Sequence, residues 1–397
     1  MSSSSAHPTQ PRTGEIVVHV FGKTDVGRTR EHNEDAFVVA DLSTDNANLQ
    51  PEVRTHVAGA KGSLFMVADG MGGAAAGEIA SAMAVEVVLG ELRGSWMAQQ
   101  TADAEGFVRA LKQATKSANE NINAYAAAHP EFRGMGTTAT IAGLLGDTLY
   151  LAQVGDSRAY IVRQGVAQQI TKDQSLMQKL IEAGELTEEE AQQSERRNII
   201  LQALGPEPTV KVDLTHQRVR RGDTLVLCSD GLSGQVTKED IAGVVGAEPD
   251  LMTACKRLID LANANGGPDN ITVIVARFEG EGLEAVNGGD AVGHRVFPLP
   301  ETGQTPAIAL ERVMDPEATT QPVPIQQRPT PQRTTRPLPA DDLPPPSLPP
   351  SAPSAPAAFV PPVSDRRRSI GLVVRMTLLV AFVLALGLVA WRLVSRA

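Results

Sequence analysis

Between Glu15 and about Glu279 the spacing of apolar positions changes repeatedly, from short runs rich in β-branched residues to a 3.6-residue period and back. The runs predict strands over 15–21, 36–40, 63–68, 138–145, 148–154, 158–163, 224–228 and 271–278. The longer period predicts helices over 76–93, 102–128, 174–192 and 250–264. Gly146-Asp147 joins two of the strands as a tight turn, and two long helices separate that pair from the earlier strands. This order favours antiparallel sheets with helices packed outside them, an α+β layered architecture. No internal repeat interrupts it.

Outside this stretch the pattern is lost. Residues 1–14 are small, polar and broken by proline, with no apolar core of the kind a signal peptide needs, so a disordered N-terminal tail is expected. Nineteen of the 27 prolines fall between Pro298 and Pro362. Residues 281–369 therefore read as a Pro-rich disordered linker, unable to bury enough surface to offset the entropy of ordering. Residues 370–391 carry one charge, Arg375, and as a helix reach about 33 Å, enough for a transmembrane span. Arg366, Arg367 and Arg368 precede the span, while only Arg392 and Arg396 follow in the short tail 392–397. The positive-inside bias then predicts a single-pass protein of the cell (inner) membrane with its globular domain, 15–280, in the cytoplasm.

Composition narrows the chemistry. The chain is 42% hydrophobic but only 4% aromatic, which points to a core of small aliphatic side chains. A net charge of −10 argues against a nucleic-acid partner. Cys228 and Cys255 make neither a disulfide framework nor a zinc site, and place the domain in a reducing compartment. Gly22-Lys23-Thr24 ends as a P-loop does, but Val17 stands where its first glycine belongs, so no nucleotide is expected. A cysteine-dependent phosphatase needs an arginine six residues after its nucleophile; Gly234 and Leu261 stand there instead.

Aspartates recur where apolar strands break into glycine turns. Asp69 opens Asp69-Gly70-Met71-Gly72-Gly73, and Asp156 lies in Gly155-Asp156-Ser157-Arg158. Asp230 lies in Ser229-Asp230-Gly231, Asp269 in Gly266-Gly267-Pro268-Asp269-Asn270, and Asp35 follows Asn33-Glu34. One such residue is ordinarily an Asx-turn. Five at the ends of buried strands would neutralise unless cations compensate, and few basic residues stand beside them. Carboxylates and carbonyls suit Mg2+ or Mn2+, and no His or Cys cluster invites Zn2+. Gly70, Gly72 and Gly73 let backbone approach a cation, and the Gly70 carbonyl can itself be a ligand. Paired metals about 3.5–4 Å apart activate a water and clamp phosphoryl oxygens. Arg30, four residues before Glu34, offers a bidentate fork for the phosphate.

Thr24-Asp25-Val26-Gly27 with Arg30 and Asn33-Glu34-Asp35, then ADGMGG (68–73), GMGTTAT (134–140), VGDSRAY (154–160), LCSDGL (227–232) and GGPDNIT (266–272), resemble in order the motifs of the protein phosphatase 2C family. More narrowly, the chain is similar to bacterial members with a cytoplasmic catalytic domain, a Pro-rich linker and one carboxy-terminal transmembrane helix. The resemblance implies an α-β-β-α sandwich of two antiparallel sheets flanked by helices, with metals in a cleft at one end. It implies that Asp69 bridges two Mn2+ or Mg2+ ions, that the Gly70 carbonyl binds one, and that Asp230 and Asp269 complete the second site. Asp35 and Glu34 would hold metal-bound waters, Asp156 with Asp230 a third, weaker ion, and Arg30 the phosphate. The implied activity is hydrolysis of phosphoserine and phosphothreonine on cytoplasmic proteins through a metal-activated bridging water, opposing Ser/Thr kinases.

The sequence also departs from that pattern. Met71 stands where many eukaryotic members carry a histidine assigned as general acid. Segments 171–175 and 194–198 resemble flap segments that usually carry His at the positions of Gln174 and Ser194, which bears on flap contacts and substrate preference. Two other functions remain to be weighed: a specialised member acting on one regulatory protein, such as an anti-sigma antagonist, and an inactive phosphoprotein-binding scaffold. Retention of every acidic position and of Arg30 argues against the scaffold.

Overall fold

The computed structural model describes residues 14–44, 55–72, 76–287 and 290–299. The chain enters through strands β1 (Val17–Asp25), β2 (Asp35–Asp41), β3 (Thr55–Val57) and β4 (Ser63–Met71). Two long helices, α1 (Ala76–Ser95) and α2 (Ala104–Ala128), precede β5 (Gly136–Thr137) and the hairpin of β6 (Ala139–Leu145) and β7 (Thr148–Val154). A second hairpin, β8 (Arg158–Arg163) and β9 (Val166–Gln169), leads to short helices α3 (Leu176–Glu182) and α4 (Glu188–Gln193). Strands β10 (Asp213–Arg218) and β11 (Thr224–Cys228) follow, then α5 (Asp230–Ser233), α6 (Lys238–Ala247), α7 (Leu251–Ala264) and β12 (Ile271–Glu279).

These strands form two antiparallel sheets. One runs β3-β1-β12-β11-β8-β9, the other β10-β7-β6-β4-β2, with β5 paired to β4 off that path. The two-residue period of a strand explains the layering. In β4, Phe65 and Val67 point between the sheets against Ile161, Leu225 and Ile274. Its alternate residues Leu64, Met66 and Ala68 join Ala80, Ala84 and Val88 of α1 and Leu111 of α2. In β12, Ile274, Ala276 and Phe278 face inward, while Val273 and Val275 pack with Ile241 of α6 and with Leu258 and Ile259 of α7. Strands buried on both faces read as near-continuous apolar runs, which is why the sequence disclosed them. The four-layer α-β-β-α sandwich is the expected one.

Several local expectations change, and the sequence pattern does not disclose the short elements β3, β5, β9 and α5. The single helix over 174–192 is two: α3 ends near Gly184, whose φ of +72° is left-handed, and α4 restarts at a capping box of Thr187 and Glu190. Strand β10 escapes a β-branched criterion because its sequence is Asp-Leu-Thr-His-Gln-Arg. Helix α6 is too short and Gly-interrupted to give a clear period. A further change concerns the boundary at residue 280. Leu283 is fully buried among the inter-sheet residues. Farther on, the Phe297 N–H donates to the Leu214 carbonyl (2.9 Å) and the Arg295 carbonyl accepts the His216 N–H (2.9 Å). The Phe297 ring meets Tyr150 and His216 edge-on at 5.6 and 5.7 Å. Arg220 grips Asp290 through two 2.7 Å bonds. Residues 281–287 and 290–299 thus form a strap packed on the domain, because a few apolar and charged residues there find partners that composition alone does not reveal.

The tail 1–13, the linker beyond 299 and the span 370–391 lie outside the described residues. Among the described residues no helix is long and apolar enough to cross a membrane.

Two measurements check this packing. A chain cut after Leu299 should melt about 5–10 °C above one cut after Glu279, since the latter loses a buried leucine and the Asp290 ion pair. Equal melting temperatures would mean the strap adds nothing. Cys228 and Cys255 are both fully buried, and burial pushes each thiol up to about 12. A thiol reagent at pH 8 should therefore count no reactive thiol in the native protein and two in denaturant.

Candidate active site

Strand β4 continues through Asp69 and Gly70 to Met71 rather than breaking at Asp69, and its register with β2 sets Asp35 directly opposite Asp69. The Asp69 backbone is held by the Thr137-Thr138 pair. Its N–H donates to Thr138 Oγ1 (3.0 Å), and its carbonyl accepts the Thr138 N–H (2.8 Å) and the Thr137 hydroxyl (2.9 Å). Thr138 Oγ1 also meets Ser157 Oγ at 2.8 Å, tying Asp69 to the turn that carries Asp156. Gly70 is required sterically: a Cβ there would lie 2.2 Å from the Gly77 carbonyl oxygen and 2.5 Å from that of Glu34. Gly72 adopts φ +128°, and Gly73 lies outside the described residues.

The other sheet contributes two loops. After β11, Ser229 leads into α5, whose first residue is Asp230. The Ser229 hydroxyl donates to Asp35 Oδ2 (2.8 Å) and accepts the Thr272 N–H (3.0 Å), joining the two sheets at their carboxylate ends. Before β12, Asp269 Oδ1 accepts the Asn270 N–H (2.8 Å). The Asn270 side chain is a hub: its Oδ1 accepts the Glu34 N–H (2.8 Å), and its Nδ2 donates to the carbonyls of Val26 (3.0 Å) and His32 (2.9 Å). Arg30 on the same loop donates from Nη2 to Asp269 Oδ2 at 2.9 Å.

Asp35, Asp69, Asp156, Asp230 and Asp269 therefore converge at one end of the sandwich. Burial raises Asp69 well above the usual carboxylate range, and the charges of Asp35, Asp230, Asp156 and Asp269 each raise it further. Asp69 is thus the residue that feels all the others. Burial also pushes Asp35 and Asp156 up to about 7, with Asp230 adding to both. Asp230 is raised by burial and then by Asp269, and it lies within hydrogen-bond reach of Asp69. Two carboxyl oxygens, Asp35 Oδ1 and Asp156 Oδ1, are buried without any hydrogen-bond partner.

Buried oxygens that repel one another and lack donors are the arrangement a hard divalent cation resolves. The donor set fits Mn2+ or Mg2+: carboxylates and a strand-end carbonyl, with no sulfur or imidazole. Among the described residues no group of three or more His, Cys, Asp or Glu side chains is already drawn in as a closed ligand set. Like charges oppose such closure until a cation offsets them. Two grooves of about 300 and 310 Å3 lie elsewhere, on either side of Arg277, and none of the five aspartates lines them.

The model of the family described as "Protein phosphatase 2C" matches residues 43–269, more than half of the chain. The chain belongs to the protein phosphatase 2C family. Among its relatives is the serine/threonine phosphatase stp of Listeria monocytogenes, 37% identical over 260 residues that cover 65% of this chain and 95% of that protein. The serine/threonine protein phosphatase PstP of Mycobacterium tuberculosis is 37% identical over 264 residues, covering 66% of this chain and 45% of PstP. A crystal structure of the Mycobacterium tuberculosis phosphatase superposes with a TM-score of 0.55 at 35% identity, over 66% of this chain and 99% of that one. A PstP catalytic domain solved in complex with two manganese ions gives 0.54 at 35% identity, with 66% and 99% covered.

In this 2C phosphatase the five aspartates singled out in the sequence come together, and two other residues sit differently from expectation. Arg30, about half-exposed at the rim, is engaged with Asp269 rather than free. Gln174 is no flap contact: it is buried beneath the Gly155-Asp156 turn, and only Ser194 lies on the exposed α4 end. The sequence alone assigns no role to Asn270, Ser229 or Thr138, although Asn270 and Ser229 adjoin Asp269 and Asp230, and Asn270 and Thr138 immediately precede apolar strands.

Raised carboxylates give a signed pH prediction for protein stripped of metal. Asp35 and Asp156 stabilise the fold when protonated, fully below their unfolded value near 4, and that stability is lost as pH rises through about 7. Saturating Mn2+ should therefore raise the melting temperature more at pH 8 than at pH 6. An equal rise at both values would contradict the reading.

Proposed function

We propose that this enzyme is a serine/threonine protein phosphatase that works with two Mn2+ or Mg2+ ions held by Asp69, the Gly70 carbonyl, Asp230 and Asp269. The carrying observation is the set of mutually raised carboxylates around Asp69, with Asp35 Oδ1 and Asp156 Oδ1 left without donors. Asp69, whose carboxyl is raised by Asp35, Asp230, Asp156 and Asp269, would be the ligand shared by both ions. Asp35 and Glu34 would hold water beside the ions, and Asp156 with Asp230 would hold a third, weaker ion. When bound, the ions would supply the charge that activates the attacking water and screens the phosphoryl oxygens.

The chain's own residues do the rest. Asn270 and Ser229 fix the loops from one sheet against Glu34 and Asp35 of the other, so that the carboxylates are positioned before substrate arrives. Arg30 neutralises Asp269 at the rim, and its planar fork suits a phosphate dianion that competes for it. Phosphorylated proteins are the substrate class, as the names of the stp and PstP relatives support. The apolar run 370–391, flanked by Arg366, Arg367 and Arg368, supports a single-pass inner-membrane anchor with the domain in the cytoplasm. Tethered there, the enzyme would oppose Ser/Thr kinases.

Phosphate release from a panel of phosphoproteins tests the reading. Activity should appear only with Mn2+ or Mg2+, and Asp69→Asn or Asp230→Asn should remove more than the roughly 10²–10³-fold of a single lost electrostatic contact, with the circular dichroism spectrum unchanged. Full turnover in excess chelator, or by the Asp69 variant, would refute it.

A further inference from the structure

The turn that carries Asp156 is held by two carboxamides: Gln153 Nε2 donates to the carbonyls of Gly155 (3.1 Å) and Ser157 (2.8 Å), and Gln174 meets Gly155 itself. Gly155, at φ +101°, packs so closely that a Cβ would lie 2.6 Å from Thr138. Its N–H donates to Gln174 Oε1 (3.0 Å), and its carbonyl accepts the Gln174 N–H (2.9 Å). That carbonyl, held by the Gln174 main chain and by Gln153 Nε2, belongs to the peptide leading into Asp156, and the Gln174 side chain adds the bond that fixes the preceding peptide through the Gly155 N–H. The other end of the carboxamide, Nε2, donates to Asp213 Oδ2 at 3.0 Å. Asp213 opens β10, an edge strand of its sheet. An amide can face an N–H only with oxygen and a carboxylate only with nitrogen, so its two neighbours determine its orientation.

From this arrangement we infer that Gln174 is a positioning residue for the Asp156 metal position, acting by its acceptor-to-donor polarity between Gly155 and Asp213. Gln174 is buried and touches no other acidic residue of the cleft, so its effect on Asp156 passes through the turn. Asp156 Oδ1 is buried and lacks a protein partner, so its direction is set by the backbone beneath it. The inference rests on reading Asp156 as a ligand of the weaker ion, and predicts which substitutions at position 174 preserve that site. Histidine, with one ring nitrogen accepting and the other donating, keeps the polarity. Glutamate presents oxygen at both ends and sets like charges against Asp213. Pairing Gln174→Glu with Asp213→Asn reverses the donor and acceptor at that end and restores a matched pair at unchanged net charge.

The test is calorimetric titration of Mn2+ alone into the full chain freed of metal, with melting temperatures recorded with and without Mn2+. Gln174→Glu should weaken the weakest Mn2+ step by about 10–100-fold, the range for partners that orient a ligand. Gln174→His and the Gln174→Glu/Asp213→Asn pair should restore it, and the melting loss in Gln174→Glu should be greater with Mn2+ than without. Gln174→Met, of similar length without polarity, should show the same weakening and serves if the glutamate variant does not fold. In an Asp156→Ala background, Gln174→Met should cause no further loss. An unchanged weak step in Gln174→Glu and Gln174→Met, beside its loss in Asp156→Ala, would overturn the role of Gln174 while leaving Asp156 a ligand. A weak step that survives Asp156→Ala would instead overturn the reading of Asp156, and the positioning role with it. Equal melting losses with and without Mn2+, unrepaired by the paired substitution, would assign Gln174 a structural role only.

Discussion

Mutual repulsion among buried carboxylates is the constraint on which the rest of this molecule depends. Asp69 is raised by its burial and by four other aspartates, so the folded state holds a cluster that would scatter or take up protons if left to itself. Apart from Arg30 on Asp269, the contacts that resist that scattering are mostly uncharged. Thr137 and Thr138 hold the Asp69 backbone, Ser229 reaches across to Asp35, and Asn270 clamps the loops from β1 to β2. Most of these bonds fix main chain, and Ser229 takes only one oxygen of Asp35, so Asp35 Oδ1 and Asp156 Oδ1 stay free, as a metal site requires.

The sandwich provides the rigidity for this. Each sheet buries both faces, one against the other sheet and one against helices, so strand ends at the mouth cannot shift without disturbing a close-packed core. The site draws Asp35 and Asp69 from one sheet and Asp230 and Asp269 from loops of the other. Its geometry is therefore a property of how the sheets stack. Glycines at 70 and 231 permit the close approach, with hypothetical Cβ positions 2.2 and 2.0 Å from backbone oxygens.

Away from the mouth, the domain compensates its charges in the ordinary way. Arg163 pairs with fully buried Asp223, and Arg220 joins Asp290 and Glu284, fastening the strap to the same corner. The contrast is informative. Buried Asp223 and part-buried Asp173 have guanidinium partners, whereas Asp35 and Asp156 keep an oxygen without any hydrogen-bond partner.

Hydrophobic periodicity determined the long strands, the long helices and the layered class, because strands buried on two faces leave an unmistakable apolar run. Glycine-flanked aspartates disclosed the acidic residues of the site, since few structural uses require so many. Short or polar elements stayed hidden: β10 is Asp-Leu-Thr-His-Gln-Arg, and its strand conformation comes from pairing with β7. The strap was equally illegible, because Leu283 and Asp290 acquire meaning only when the sheet supplies a pocket and Arg220. Gln174 looked like a surface flap residue and is a buried bridge, as hydrogen-bond partners distant in sequence are chosen by folding. The sequence by itself determined which side chains could carry the chemistry. Only the tertiary structure decided which oxygens lack partners, that Arg30 is occupied by Asp269, and that a turn glycine depends on Gln174, because burial and pairing are properties of the stacked sheets and not of the chain.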